Sequence, residues 1–345
     1  RRAVEKLQGN GVPVGLYIEG YLVDHRSDVG RAHLEEWGMR DTSGKLMPYT
    51  PGCPEFIMCP MVKAWQEYLA GVYRRVSSET GALGFYIDEF GFAGRFCCAK
   101  GHGHPVPCHV LRGERELTRR IRLALPSKCV VYTEETPCDV NSQCQDGSFT
   151  YCVNAGQTWL RPYLEVPLKL FRFAFPDFKT FEIITCDRPT GSNVEAVKQI
   201  FFNGEGLWIQ GEPESWFTKE TRETIRKCMG LLRAHKEAIA SENVNPFVPT
   251  LVGGVFANEF KGKRESVWLL YNANPLTVRG PVLSVQHIEG TRYFDLWNGR
   301  EIKPAVEGGK AVISLEIGPH DVGMVVRRQT GSGVPSDLIK GGKPR

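Results

Sequence analysis

Three apolar runs end in acids in a way that invites chemistry. Asp88 closes Leu83-Gly84-Phe85-Tyr86-Ile87 and precedes Glu89-Phe90-Gly91. Glu134-Glu135 closes Cys129-Val130-Val131-Tyr132-Thr133, and Asp187 closes Thr180-Phe181-Glu182-Ile183-Ile184-Thr185-Cys186. A carboxylate at the mouth of a buried strand is held rigidly and can still meet a substrate. Two carboxylates facing each other across a sugar are what glycoside hydrolysis requires: one attacks or steadies the anomeric carbon, the other protonates the leaving oxygen. A separation of about 5–5.5 Å goes with retention and about 6.5–9.5 Å with inversion. Strand-end acids also cap helices, which is the structural alternative for each of them. Glu134 and Glu135 are adjacent on an extended segment, so their side chains point to opposite sides and only one can face Asp88; the expectation is Glu134.

Further polar residues lie near the same strand ends. Glu19 follows Val12-Pro13-Val14-Gly15-Leu16-Tyr17-Ile18, Arg188 follows Asp187, and Glu212 stands just past Gly206-Leu207-Trp208-Ile209-Gln210. With Tyr86, Glu89, Glu135 and Trp216 they form the expected substrate-binding set. Aromatic residues crowd these ends (Tyr17, Tyr21, Tyr86, Tyr132, Trp159, Trp208, Trp216). Most are expected to be core, with Trp216 the best platform for a sugar ring because it lies beyond its strand. The segment Cys97-Cys98, His102-Gly103-His104, Cys108-His109 has the ligand types of a zinc site. Its spacing matches no C-x2-C or H-x3-H pattern, and neighbouring cysteines turn to one ion with difficulty. The expectation is therefore a loop, 95–109, folded over the rim with His102 or His104 touching substrate and with no metal and no cofactor.

The elements that must position these residues are short. Six apolar runs, at 12–18, 83–88, 129–133, 148–153, 180–186 and 206–210, alternate with helical patterns at about 62–80, 111–124, 194–203 and 219–240. That alternation predicts parallel β/α units, and acids at strand C-termini fit a (β/α)8 barrel. No Gly-rich phosphate loop follows any strand, as a doubly wound sheet would usually show. After residue 243 the pattern changes to regular β-like runs with turns and no helix, which predicts an antiparallel sandwich over 243–329. The tail from 330 is rich in Gly, Ser, Pro and Lys. The barrel would occupy 1–242 and hold six strands of eight, so an upstream segment or a second chain is expected to complete it.

Composition sets outer limits. The chain has 345 residues, 41% hydrophobic and 24% charged, in the range of ordinary globular proteins and not of disordered ones. No stretch approaches the roughly 18 apolar residues of a membrane span. Lys+Arg number 43 against 39 Asp+Glu, and the charges are interspersed, which gives nucleic-acid binding no support. The 11 cysteines are an odd number, so at least one is unpaired within the chain; Cys129, Cys152 and Cys186 sit in strand-like runs as small buried hydrophobes. The first residues read as the end of an amphipathic helix, so the lack of a leader says little about compartment.

Phe85-Tyr86-Ile87-Asp88-Glu89-Phe90-Gly91, the loop with His102-Gly103-His104-Pro105, Tyr132-Thr133-Glu134 and Met58-Cys59-Pro60 with Trp65 resemble a large, mainly bacterial family of TIM-barrel proteins. That family is classed as a domain of unknown function and related to glycoside hydrolases. The resemblance runs over about residues 11–330 and includes Tyr293-Phe294-Asp295-Leu296-Trp297-Asn298-Gly299 in the closing sandwich. The wider superfamily holds α-amylase-like enzymes, endo-α-N-acetylgalactosaminidases and the α-galactosidase clan. In α-amylase-like barrels the nucleophile ends strand four, the acid/base strand five and a third acid strand seven. If 12–18 is strand three, the resemblance makes Asp88 the nucleophile, Glu134 the acid/base and Asp187 the third acid. Two features depart from it: Tyr86 stands where the amylase pattern has Arg, and 148–153 lacks the strand-six carboxylate of the α-galactosidase clan. The resemblance implies a retaining glycosidase acting on an α-linked sugar or oligosaccharide. The alternatives are a carbohydrate-binding barrel without turnover and a metal-dependent hydrolase built on the Cys/His loop.

Overall fold

A computed structural model of the chain describes residues 1–90, 94–134, 137–150, 168–184, 187, 192–209 and 211–329. These fall into two compact units, Arg1–Thr150 and Tyr151–Arg345.

The first unit is a parallel sheet backed by helices. Its elements are helix α1 (Arg2–Gly9), β1 (Gly15–Glu19), β2 (Leu22–Asp24), α2 (Asp28–Trp37), β3 (Glu55–Ile57), α3 (Lys63–Thr80), β4 (Gly84–Asp88), β5 (Phe96–Cys97), β6 (Cys108–His109), α4 (Leu111–Ala124), β7 (Val130–Glu134) and β8 (Gly147–Thr150). Strands β1, β4, β7 and β8 lie side by side and parallel, as sequential β/α units require. One face of the sheet carries Phe85, Ile87 and Val131, which pack with Trp65, Leu69 and Tyr73 of α3 and with Leu117 and Ile121 of α4. Helix α3 buries Trp65, Leu69 and Tyr73 at a four-residue spacing, a single apolar stripe. It stops at Gly81, whose φ of +73° is the left-handed cap glycine adopts without strain. Helix α2 and the two-stranded antiparallel sheet β2–β3 are additions to the expected pattern. Ser27 starts α2 by accepting from the Gly30 amide at 3.0 Å, and only Gly30, Leu34 and Trp37 of its ten residues are buried.

The second unit contains the parallel pair β9 (Lys179–Ile184) and β10 (Gly206–Ile209), joined through the helix Val194–Asn203. Two antiparallel sheets follow. One is ordered β11 (Val244–Asn245), β12 (Val255–Lys261), β13 (Glu265–Asn272), β19 (Val322–Gln329), β15 (Thr291–Asp295), β16 (Arg300–Ile302); the other is β14 (Val278–Gln286), β18 (Lys310–Ile317), β17 (Ala305–Glu307). Val255, Ala257, Trp268 and Leu270 of the first share a core with Val282, Leu283, Ile313 and Leu315 of the second, which is the sandwich the alternation after residue 243 predicts. The long helix is in fact two, Lys219–Ala234 and Lys236–Ile239, interrupted at His235. The other side of the larger sheet is covered chiefly by the helix Val194–Asn203, whose Val197, Ile200, Phe201 and Phe202 are fully buried with Phe260, Val267, Leu269 and Met324. Cys228, Leu232, Ala238 and Ile239 of the helices Lys219–Ala234 and Lys236–Ile239 join the same core.

The fold is thus mixed α/β with six strands of the parallel type, four in one unit and two in the other, followed by antiparallel sheets. Eight parallel strands, a complete barrel, are not found among the described residues. None of the described helices is long and apolar enough to cross a membrane.

Candidate active site and the cysteine–histidine cluster

The strand register builds the site. In β1 and β4, Tyr17 lies beside Tyr86 and Glu19 beside Asp88. In β4 and β7, Tyr86 lies beside Tyr132 and Ile87 beside Thr133, which brings Asp88 level with Glu134. Side chains alternate along a strand, so residues two apart share a face. The result is two parallel rows on one face of the sheet: aromatic rings of Tyr17, Tyr86 and Tyr132, and above them the carboxyls of Glu19, Asp88 and Glu134. Tyr17 and Tyr86 meet edge to face at 5.7 Å between centroids, and Phe149 of β8, level with Glu134, packs its ring 5.0 Å from Tyr86.

Each acid has its own environment. Asp88 accepts from two phenols: Tyr86 Oη reaches Oδ1 at 2.8 Å, and Tyr17 Oη donates to Oδ2. Tyr17 is 60% exposed at its position, so the pair is open to solvent on that side. The same Tyr17 oxygen lies 3.5 Å from Glu19 Oε2, bridging the two carboxyls. Glu19 Oε1 accepts from the Gly20 amide at 2.9 Å. Burial, and then the charge of Asp88, push the Glu19 carboxyl up from 4.5 to about 7, so Glu19 carries a proton near neutrality. Glu134 is buried and its Oε2 accepts from the Glu89 amide at 3.0 Å. That amide is aimed there because Glu89 adopts φ +54°, left-handed backbone rare outside glycine. The Glu89 side chain turns to Tyr49, whose phenol donates to it and is raised to about 12 chiefly by that bond, and to Arg95 at 3.7 Å. Arg95 sits 4.8 Å over the Tyr21 ring. Its Nη1 and the Tyr21 hydroxyl are buried with no partner among the described residues.

Asp187 belongs to the second unit and is nearly closed off, at 3% exposure. Its Oδ1 accepts from the Asn193 amide at 2.9 Å and the Asn193 side chain at 2.8 Å; its Oδ2 accepts from the Thr218 amide at 2.6 Å. Burial acts to raise its carboxyl, but the donors from Thr218 and Asn193 outweigh it and hold the group below its ordinary value. In this unit Asp187 ties the start of the helix Val194–Asn203 to the start of Lys219–Ala234. Trp216 is 39% exposed and its ring lies against Gly211, where an added Cβ would stand 2.5 Å from the indole. Glu212 is exposed and its carbonyl accepts from the Trp216 amide at 3.1 Å. Glu135, Arg188 and Trp159 lie outside the described residues.

The Cys/His loop departs most from expectation. His102 and His104 turn to sulfur. His102 Nδ1 lies 3.4 Å from Cys97 Sγ, and His104 Nε2 lies 3.6 Å from Cys59 Sγ. Cys59, Cys97, His102 and His104 each offer one ligand atom, and all four atoms lie within 4.8 Å of one another. The Cys97 thiol is pushed down to about 3, first by a hydrogen bond from Cys59 and also by His102 and the Ala99 amide. Cys98 and Cys108, in the expected set, stay outside the group. Sequence reasoning noted Cys59 only within a family motif, because its partners stand 38 or more residues on. It also passed over Tyr17 as an Asp88 donor, and Tyr49 and Arg95, though Tyr17 and Glu19 at i and i+2 on one strand were available as a signal. The nine described cysteines are all free thiols.

The architecture is shared with glycoside hydrolases. A GH27 β-L-arabinopyranosidase from Geobacillus stearothermophilus aligns at a TM-score of 0.58 and 12% identity over 96% of this chain and 78% of its own. A noncanonic maltogenic α-amylase from Thermotoga neapolitana aligns at 0.62 and 12% identity over 95% and 80%. A GH36 α-galactosidase from Geobacillus stearothermophilus aligns at 0.62 and 10% identity over 95% of this chain and 46% of its own. At such identities the likeness is one of fold. No curated protein matches the sequence. Residues 1–163 match a domain of unknown function, DUF6259, in keeping with the resemblance drawn from the Asp88 and His102-Gly103-His104-Pro105 motifs.

Proposed function

We propose that the chain is a retaining glycoside hydrolase acting on an α-linked sugar or oligosaccharide. The observation that carries this reading is the row of three in-register carboxyls, Glu19, Asp88 and Glu134, standing over a row of tyrosines. Asp88 is the nucleophile. Two phenols fix its plane, so the oxygen that attacks the anomeric carbon is preorientated. Glu134 gives its proton to the leaving oxygen as the Asp88 ester forms, then takes one from the water that hydrolyses that ester. Glu89 and Arg95 stand beside the row and are the candidates for hydrogen bonds to sugar hydroxyls. Asp187 has its oxygens taken by protein donors and is assigned no substrate contact.

One observation favours a second assignment of the acid. Glu19, with its proton held up to about 7, meets the requirement for a donor at neutral pH. The two assignments separate on leaving-group dependence. With a poor leaving group, loss of the general acid costs roughly 10²–10⁴ in rate, and an activated aryl leaving group restores most of it. Either Glu134→Gln or Glu19→Gln will show that behaviour, and Asp88→Asn will abolish turnover of every substrate while leaving the melting temperature close to wild type. A panel of aryl α- and β-glycosides that yields no turnover, alongside measurable binding of oligosaccharide to the same protein, would replace the enzyme by a binding barrel.

A further inference from the structure

We propose that Cys59, Cys97, His102 and His104 form a closed, four-ligand structural zinc site that clamps the loop after β4 onto the segment leading into α3. The ligand set is the Cys2His2 type, whose two thiolates balance the ion's charge. Metal–sulfur bonds of about 2.3 Å and metal–nitrogen bonds of about 2.0–2.1 Å in tetrahedral array place neighbouring ligand atoms roughly 3.3–3.8 Å apart. The Cys97–His102 and Cys59–His104 separations, 3.4 and 3.6 Å, are edges of that size, and no pair in the group exceeds 4.8 Å. Both cysteines are fully buried, at 0% exposure, so the sulfurs are turned to the cluster and away from solvent.

The surroundings fit ligation. His104 Nδ1 lies 2.7 Å from the Pro105 carbonyl. A ring N–H donated there leaves Nε2 unprotonated and facing Cys59, the outer contact by which metal-bound histidines are orientated. The anchor points are rigid: Cys97 pairs with Cys108 in the β5–β6 hairpin, the Cys98 amide donates to the Arg40 carbonyl at 2.8 Å, and α4 presses Gly113 against Pro60, where an added Cβ would stand 2.5 Å from backbone. Four protein ligands leave no open position for water or substrate, so the ion's role is to fix the loop. That loop begins at the end of β4 and carries Arg95 to Glu89, so the clamp sets the rim from behind. On this proposal His102 and His104 serve the ion, where the sequence suggested a substrate contact and a metal-free loop.

The test uses the full chain, purified without a histidine tag and without chelator. Metal analysis is expected to find one zinc per chain, and X-ray absorption to find two sulfur and two nitrogen neighbours at the distances above. Cys108→Ser and Cys98→Ser are expected to keep the zinc, and Cys97→Ser to lose it. Should Cys97→Ser fail to fold, the wild-type protein decides: dialysis against a strong chelator lowers its melting temperature, and added zinc restores it. The proposal is overturned by wild-type protein that holds and takes up only trace zinc, by a coordination shell containing Cys108 or Cys98, or by a native mass about 2 Da light from a Cys59–Cys97 disulfide.

Discussion

Replacing Glu19 by Gln tests the electrostatics of the carboxyl row without touching its packing. Gln keeps an oxygen for the Gly20 amide and removes the ionisable group. A carboxyl moved from 4.5 to about 7 resists ionisation in the folded chain by roughly 3 kcal/mol, at about 1.4 kcal/mol per tenfold change in proton affinity. The sign follows from linkage. Between the unfolded value and about 7 the folded state holds the extra proton, so stability falls as pH rises across that window and is level above it. Glu19→Gln escapes that fall. Its melting temperature, measured against wild type at each pH, is expected to climb from pH 4 to pH 8 by several degrees, since about 3 kcal/mol corresponds to roughly 6–12 °C in a unit of 150 residues or more. Thermal scans of both proteins in matched buffers give the difference directly. A difference that stays flat across that range refutes the raised proton affinity of Glu19, and with it the case for Glu19 as acid. Replacing its neighbour should move the same curve: in Asp88→Asn the negative charge is gone, so the pH dependence attributed to Glu19 shifts to lower pH.

Asp187→Ala leaves three donors of the second unit without their acceptor and is expected to cost about 2–4 kcal/mol in thermal or denaturant unfolding, with no change in leaving-group dependence. Gly211→Ala forces a φ of +89° on a side-chain-bearing residue and drives a methyl into Trp216; the unit should lose roughly 1–3 kcal/mol, with a shift in tryptophan emission. Glu265 accepts from Arg328, faces His235 at 2.9 Å, and is held below its ordinary value by those partners against the opposing effect of burial. Its contribution is complete above about pH 4.5 and is lost as pH falls through the depressed value, so Glu265→Gln should be less stable than wild type at neutral pH and approach it in acid.

The strands were legible because each is a short apolar run closed by an acid, and Asp88 and Glu134 stand where those runs end. Their neighbours in the row follow from register, which a single sequence does not carry: nothing in Val12–Glu19 states that Tyr17 falls beside Tyr86 rather than one residue away. Helix α2 was hidden by its surface, since Asp28, Arg31, His33, Glu35 and Glu36 mask a buried stripe of three residues. The metal-type cluster was hidden by distance. The loop shows its three nearer members at once, but the fourth, Cys59, precedes α3, and only folding brings the two segments together. The spacing rules that argued against a metal apply to ligands carried on one hairpin or knuckle, and this set is divided between two.

The in-phase pairing of β1, β4 and β7 has a consequence for how such a chain can change. Catalytic spacing here is counted in hydrogen-bonded rungs and not in residues along the chain. Sixty-eight residues separate Glu19 from Asp88, and they hold a two-stranded sheet, two helices and one of the four members of the cysteine–histidine cluster. Lengthening any loop among them leaves the carboxyls the same number of rungs apart, so insertions can remodel what surrounds the acids without moving them. A single residue added inside β4 does the opposite. It would exchange the polar face for the apolar one, sending Asp88 toward the helices and Ile87 toward the tyrosines, and the core and the site would fail together. New specificity is therefore cheap in the connections and forbidden in the ladder.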